Sequence, residues 1–98
     1  MSNCEGIPLS ARPSSLPPCN PRAQNFPKTW KQSYFRRHYD SIHGGYVCPD
    51  CKQVFSGPAG FHQLDADHKI PYSQGGLTEW ENLTLRCKPC NVAKGDKM

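Results

Sequence analysis

Two Cys-x-x-Cys pairs, Cys48/Cys51 and Cys87/Cys90, bracket residues 52–86 of a 98-residue chain. A chain of this length is close to the size at which an apolar core alone gives thin stability. Only 36% of its residues are hydrophobic, so a structural staple is expected. Four thiolates suffice for a closed tetrahedral zinc site with no open coordination position. In such a site the binding energy of the metal is folding energy. The same cysteines would serve redox chemistry or disulfides in an oxidising compartment. However, the segment Met-Ser-Asn-Cys-Glu-Gly shows no apolar run resembling a signal sequence, and an intracellular, cytoplasmic setting with reduced thiols and structural zinc is the expectation. No stretch approaches the roughly 18 apolar residues of a membrane span, so no membrane partner is expected. Cys4 and Cys19 belong to no close motif and read as free thiols; their spacing to His38 or His43 is too irregular for a second metal site.

Charge is unevenly spread. The net charge is +4, and between Glu5 and Asp40 there is no acidic residue, while Arg12, Arg22, Lys28, Lys31, Arg36 and Arg37 fall in that interval. A basic half joined to an acid-and-histidine half suits a polyanionic partner, with a solvated charged face as the bland alternative. Residues 1–27 hold six of the ten prolines and read as an extended Pro-rich arm with no core of its own. Residues 28–45 form the next unit. Here the pattern predicts a basic and aromatic helix from Lys28 to about Ile42, opened near Pro27 and ended by Gly44-Gly45. Phe35, Tyr39 and Ile42 make one stripe, and Trp30 and Tyr34 another. The aromatics are expected to pack, and Lys31, Arg36 and Arg37 to meet phosphates.

Residues 46–98 form the third unit. Tyr46 to Phe55 reads as a zinc knuckle in a short hairpin, and Ser56 to Gly60 as a turn. Phe61 to Ile70 reads as a strand carrying Asp67-His68 near its end, and Pro71 to Thr78 as a loop. Trp80 to Leu85 reads as a short strand or turn. Cys87 to Lys94 is then a two-turn helix stopped by Gly95. Asp67 and Asn91 offer oxygens suited to magnesium or manganese. His68 suits a general base near neutral pH. Neighbouring strand residues point to opposite faces, so Asp67 and His68 share a site only if the substrate straddles the strand end or the strand twists there. Asp65 lies on the Asp67 face, as a partner to it or as a solvent-facing carboxylate. His62 reads as a surface or packing residue. Lys94, one turn after Asn91, reads as a phosphate contact or as a helix-end lysine, and Lys69 and Arg86 are weaker phosphate candidates.

The series Asp-Ala-Asp-His-Lys-Ile-Pro, Gly-Gly, Glu-Asn-Leu and Cys-x-x-Cys-Asn-x-x-Lys-Gly, taken in order, resembles the HNH endonucleases over residues 46–96. The resemblance implies a small α+β, zinc-stabilised, treble-clef-like ββα-metal fold. It implies that Asp67 binds the catalytic metal, that His68 is the general base, and that Asn82 holds the loop between the strands through backbone hydrogen bonds. Asn91 matches the motif's last position as the second metal ligand. The products implied are 5′-phosphate and 3′-hydroxyl ends.

The expected function is therefore metal-dependent hydrolysis of DNA phosphodiester bonds. Cys48, Cys51, Cys87 and Cys90 hold structural zinc, a magnesium or manganese ion lies on Asp67 and Asn91, and Arg36, Arg37, Lys31 and Lys94 contact double-stranded DNA. The alternative is a non-catalytic zinc module binding nucleic acid or protein, which has no need of Asp67, His68 and Asn91 together. One such centre per chain cuts one strand at a time, so double-strand cleavage calls for a homodimer. The aromatics ahead of Cys48 fit either a dimer surface or packing within the chain.

Overall fold

The alternation of Leu64-Asp65-Ala66-Asp67-His68 against Leu83-Thr84-Leu85-Arg86-Cys87 organises the molecule. In the computed structural model, which describes residues 12–94, these segments are the antiparallel strands β3 (Leu64–His68) and β4 (Leu83–Cys87). Their register pairs Leu64 with Cys87, Ala66 with Leu85 and His68 with Leu83. Directly opposed residues share a face, so one face is apolar with His68 at its end. The other carries Asp65 opposite Arg86 and Asp67 opposite Thr84. Leu64, Leu83 and Leu85 are fully buried. A second antiparallel pair, β1 (Tyr46–Val47) and β2 (Val54–Phe55), frames the first cysteine pair. The phenol of Tyr46 donates to the Leu85 carbonyl and ties that hairpin to β4. The helix α3 (Lys88–Lys94) follows β4 without a loop and packs against β3 and β4.

Two expectations need correction. First, α1 spans Lys28–Arg37 and stops short of Ile42. Asp40 is the cause: its Oδ1 accepts from the Ile42 and His43 amides at 2.9 and 3.2 Å. A short acidic side chain that bonds nearby amides draws the backbone into a turn instead of a helix. Tyr39 is consequently exposed, and Ile42 is 90% exposed, so the expected stripe breaks after Phe35.

Second, the strand expected from Phe61 begins only at Leu64. Residues Gly57–His62 form a helix, α2. Pro58, in its first turn, carries a φ already suited to a helix and lacks the amide that would go unpaired there. Phe61 packs edge-on against Phe35 of α1, with ring centroids 5.3 Å apart. His62 ends α2 at the surface.

The arm has no helix or strand over residues 12–27 and packs on the rest of the chain. Leu16, Cys19 and Phe26 pack against the core. The Pro17 carbonyl accepts from Trp30 Nε1 at 2.8 Å, and that of Pro21 from the Thr78 amide at 2.8 Å. Trp30 of α1 is buried against Trp80 and Phe26. The aromatics ahead of Cys48, apart from exposed Tyr39, are thus largely taken up within the chain. The readings of Cys4 and of Gly95 as a helix stop lie outside the described residues. Among those residues no helix is long and apolar enough to cross a membrane.

Candidate metal centres and the Asp-His-Asn site

Cys48 and Cys51 leave the β1–β2 hairpin, while Cys87 ends β4 and Cys90 lies in the first turn of α3. The four sulfurs lie within 4.8 Å of one another. Cys87 Sγ is 3.8 Å from Cys48 Sγ and 3.6 Å from Cys51 Sγ. A tetrahedron with metal–sulfur bonds of about 2.3 Å has edges of about 3.8 Å, so the donor set fits a tetrahedral metal ion. Burial raises the Cys48 thiol, but backbone amides of Cys87, Cys51 and Asp50 outweigh it and bring its pKa to about 7. The bond with Cys87, burial and the other thiols push Cys90 up to about 12. One thiolate forms readily and then obstructs the rest, so full ionisation of the cluster calls for a cation.

The second constellation lies where β3 ends beside α3. Asp67 Oδ2 is met by Arg86 Nε at 3.0 Å and Lys94 Nζ at 3.1 Å. Both cations meet one oxygen, which leaves Oδ1 as the one available to a metal. Asn91 does not pair with Asp67; its Nδ2 donates to Asp65 Oδ2 at 3.2 Å. A carboxylate accepts and cannot donate, so Asp65 fixes the amide with its NH₂ inward and leaves Oδ1 free to ligate. Burial opposes ionisation of Asp65, but bonds from Lys88 and Asn91 win and hold its carboxyl below the ordinary range. Asp65 therefore orients Asn91 instead of facing solvent or Asp67. The donor set of Asp67 and Asn91, both presenting oxygen, fits a hard divalent ion.

His68 is on the opposite, apolar face and 8% exposed. Its ring lies between Phe26, with centroids 4.4 Å apart, and Tyr72 at 5.8 Å. Nε2 is 2.9 Å from Thr78 Oγ1. Burial lowers the imidazole pKa; Asp67 opposes that and Lys94 adds to it, and the net shift is downward. The neutral ring required of a base is thus favoured near pH 7. Asn82 Oδ1 accepts from the Ile70 amide at 2.8 Å, while Nδ2 donates to the Ile70 and Leu77 carbonyls at 3.1 and 2.9 Å. One side chain thereby closes the loop after β3. That loop also depends on Gly76, where a Cβ would stand 1.8 Å from the Ile70 carbonyl oxygen.

The basic residues divide. Arg36 and Arg37 are exposed on α1. Lys31 holds its ammonium 4.2 Å above the Phe61 ring, and burial, with Lys88 nearby, lowers its pKa. Lys94 departs from the expected phosphate contact: its side chain is 8% exposed and turned onto Asp67 and the His68 carbonyl. Sequence reasoning missed two groups, Arg86 as a partner of Asp67 and Thr78 as a partner of His68. Arg86 also bonds Asp50, between Cys48 and Cys51, and so joins the knuckle to Asp67. Strand alternation would have placed Arg86 among the carboxylates once the register was known. No local signal marks Thr78.

Searches against curated proteins and against solved structures returned no match. The family model of the HNH endonuclease matches residues 48–97, which contain both cysteine pairs, Asp67, His68, Asn82 and Asn91. With that match over half of its length, joined to a ββα arrangement built on a four-cysteine cluster, this chain belongs to the HNH endonuclease family.

Proposed function

We propose that the chain is a metal-dependent endonuclease that hydrolyses phosphodiester bonds of double-stranded DNA, with zinc in the four-cysteine cluster. The observation that supports this most is that Asp67, His68, Asn82 and Asn91 all lie within the stretch matched by the HNH endonuclease model. Asp67 and His68 end β3 on its two faces, and Asn91 lies on α3, which packs against β3 and carries Cys90 of the cysteine cluster. Asp67 and Asn91 would hold a magnesium or manganese ion, which would supply positive charge at the phosphate and the departing oxygen. His68 takes a proton from water as the water oxygen bonds to phosphorus. The bond from phosphorus to the 3′-oxygen breaks, the departing oxygen takes a proton from solvent water, and 5′-phosphate and 3′-hydroxyl ends result. Arg86 and Lys94 hold Asp67 in place, and Asp65 holds Asn91. Arg36 and Arg37, exposed on α1, contact backbone phosphates, with Lys31 beside them.

The test is digestion of supercoiled plasmid with magnesium or manganese supplied or withheld. Nicked circles are expected first, because each chain holds one centre. A linear product rising more steeply than protein concentration would identify paired chains. His68→Ala is expected to slow nicking about 10²- to 10⁴-fold while zinc content and DNA affinity stay near wild type. Wild-type protein that binds DNA but never nicks it with either metal would leave the non-catalytic binding module as the correct reading.

A further inference from the structure

We propose that Thr78 is a positioning residue which, with the backbone carbonyl of Ala23, holds His68 in the tautomer protonated on Nε2 and leaves Nδ1 as the proton acceptor. The proposal deepens the nuclease reading and rests on it for the role of His68. The direction of two hydrogen bonds decides it. Thr78 Oγ1 donates to the Ala23 carbonyl, which can only accept. The single hydroxyl proton of Thr78 is thereby committed. Toward the ring nitrogen 2.9 Å away the hydroxyl can offer only a lone pair, so Nε2 must carry the hydrogen. A neutral imidazole has one N–H, and Nδ1 is therefore bare.

The arrangement is held from several sides. Thr78 is fully buried, and its amide donates to the Pro21 carbonyl at 2.8 Å. Tyr72, whose ring lies 5.8 Å from His68, donates its hydroxyl to the Arg22 carbonyl at 2.8 Å. Phe26 covers the imidazole. Consecutive carbonyls of residues 21, 22 and 23 thus each hold a residue of the His68 pocket. A half-turn of the ring about Cβ–Cγ would bring Cε1 to the Thr78 oxygen and forfeit the bond. A general base works only while the correct nitrogen is bare and aimed at its proton. The N-terminal arm, remote in sequence from residues 67–91, in this way completes the site.

The test uses the full chain with nitrogen-15-labelled histidine, without DNA or added divalent ion. Long-range proton–nitrogen correlation is expected to show His68 protonated at Nε2 and bare at Nδ1. In Thr78→Val, which keeps the shape and loses the hydroxyl, the ring is expected to become a mixture of tautomers. Its kcat for nicking should fall about 10- to 100-fold, the scale on which partners that orient functional imidazoles act, with KM little changed. Thr78→Ser should restore both. A wild-type His68 protonated at Nδ1, or a Thr78→Val protein with wild-type tautomer and kcat, would overturn the assignment. If the valine variant does not fold, the wild-type spectrum decides alone. A chain that shows the expected tautomer yet never cuts sinks the nuclease reading and keeps the tautomer.

Discussion

The cysteine cluster and the Asp67–Asn91 centre are opposite solutions to holding a cation. In the cluster, four thiols face one another with backbone amides as the chief help for the first thiolate. The other centre is balanced by the protein itself. Arg86 and Lys94 meet Asp67, Arg86 also meets Asp50, and Lys88 meets Asp65. Three carboxylates stand against three cations. On the proposed reading, zinc is then the resident ion and the catalytic divalent ion a visitor. The cluster's facing thiols call for a cation, whereas the oxygen centre's carboxylates are already balanced by the chain's own cations and have little net charge with which to attract one. On the same reading, a divalent ion there would arrive most readily with a DNA phosphate that adds negative charge.

The sharpest way to break this contrast is Cys87→Ser. Structural zinc contributes on the order of 10–16 kcal/mol in small zinc domains, as much as a typical domain's whole stability. The variant is expected to lose its metal and unfold over β4 and α3. Circular dichroism read beside zinc stoichiometry would show it, and a well-folded, zinc-free protein would end the claim that this ion is resident.

Asn82→Ala probes the loop of the second centre. Three hydrogen bonds to Ile70 and Leu77 are lost, of which the one to the Leu77 carbonyl is part-buried. A loss of about 2 kcal/mol is expected, with zinc retained. Denaturant midpoints measure it. Zinc release at the same midpoint shift would mean that the two centres are not separable.

A smaller effect is expected from Lys94→Met, which removes one positive charge beside Asp67. Divalent binding without DNA should tighten by about 10-fold, a modest share of one charge acting at close range in a partly buried site. Titration calorimetry with manganese reads it directly. Unchanged affinity would show that Lys94 does not compensate the carboxylate. Least of all in affinity at physiological salt, Arg36→Gln with Arg37→Gln should lower the slope of log binding constant against log salt by about 2. An unaltered slope would remove α1 from the DNA interface.

Much of this was legible because spacing is local information. The two cysteine pairs, the alternation through Leu64–His68 and the helix after Cys87 all follow from short-range pattern. Where the reading slipped, a competing local rule or a long-range contact had won. Asp40 captured two amides and ended α1, and Pro58 opened a helix where a turn was expected. The turning of Lys94 inward could not be read from its position on a helix end, because it depends on Asp67 lying across from it. Thr78 was invisible for the same reason: its partners come from the arm and from β3, and neither is near it in sequence.

The three carbonyls of residues 21–23 bear on where this protein can be cut down. The family match begins at Cys48, and a fragment trimmed to that point would look complete by motif. It would nonetheless expose Trp80 along the surface that Trp30 now covers, and leave the His68 ring without the Phe26 side of its pocket. Such a fragment retains every residue of the motif and loses the walls around its base. The smallest unit that keeps the histidine's pocket intact is set by who lines it, and that reaches back to Pro21.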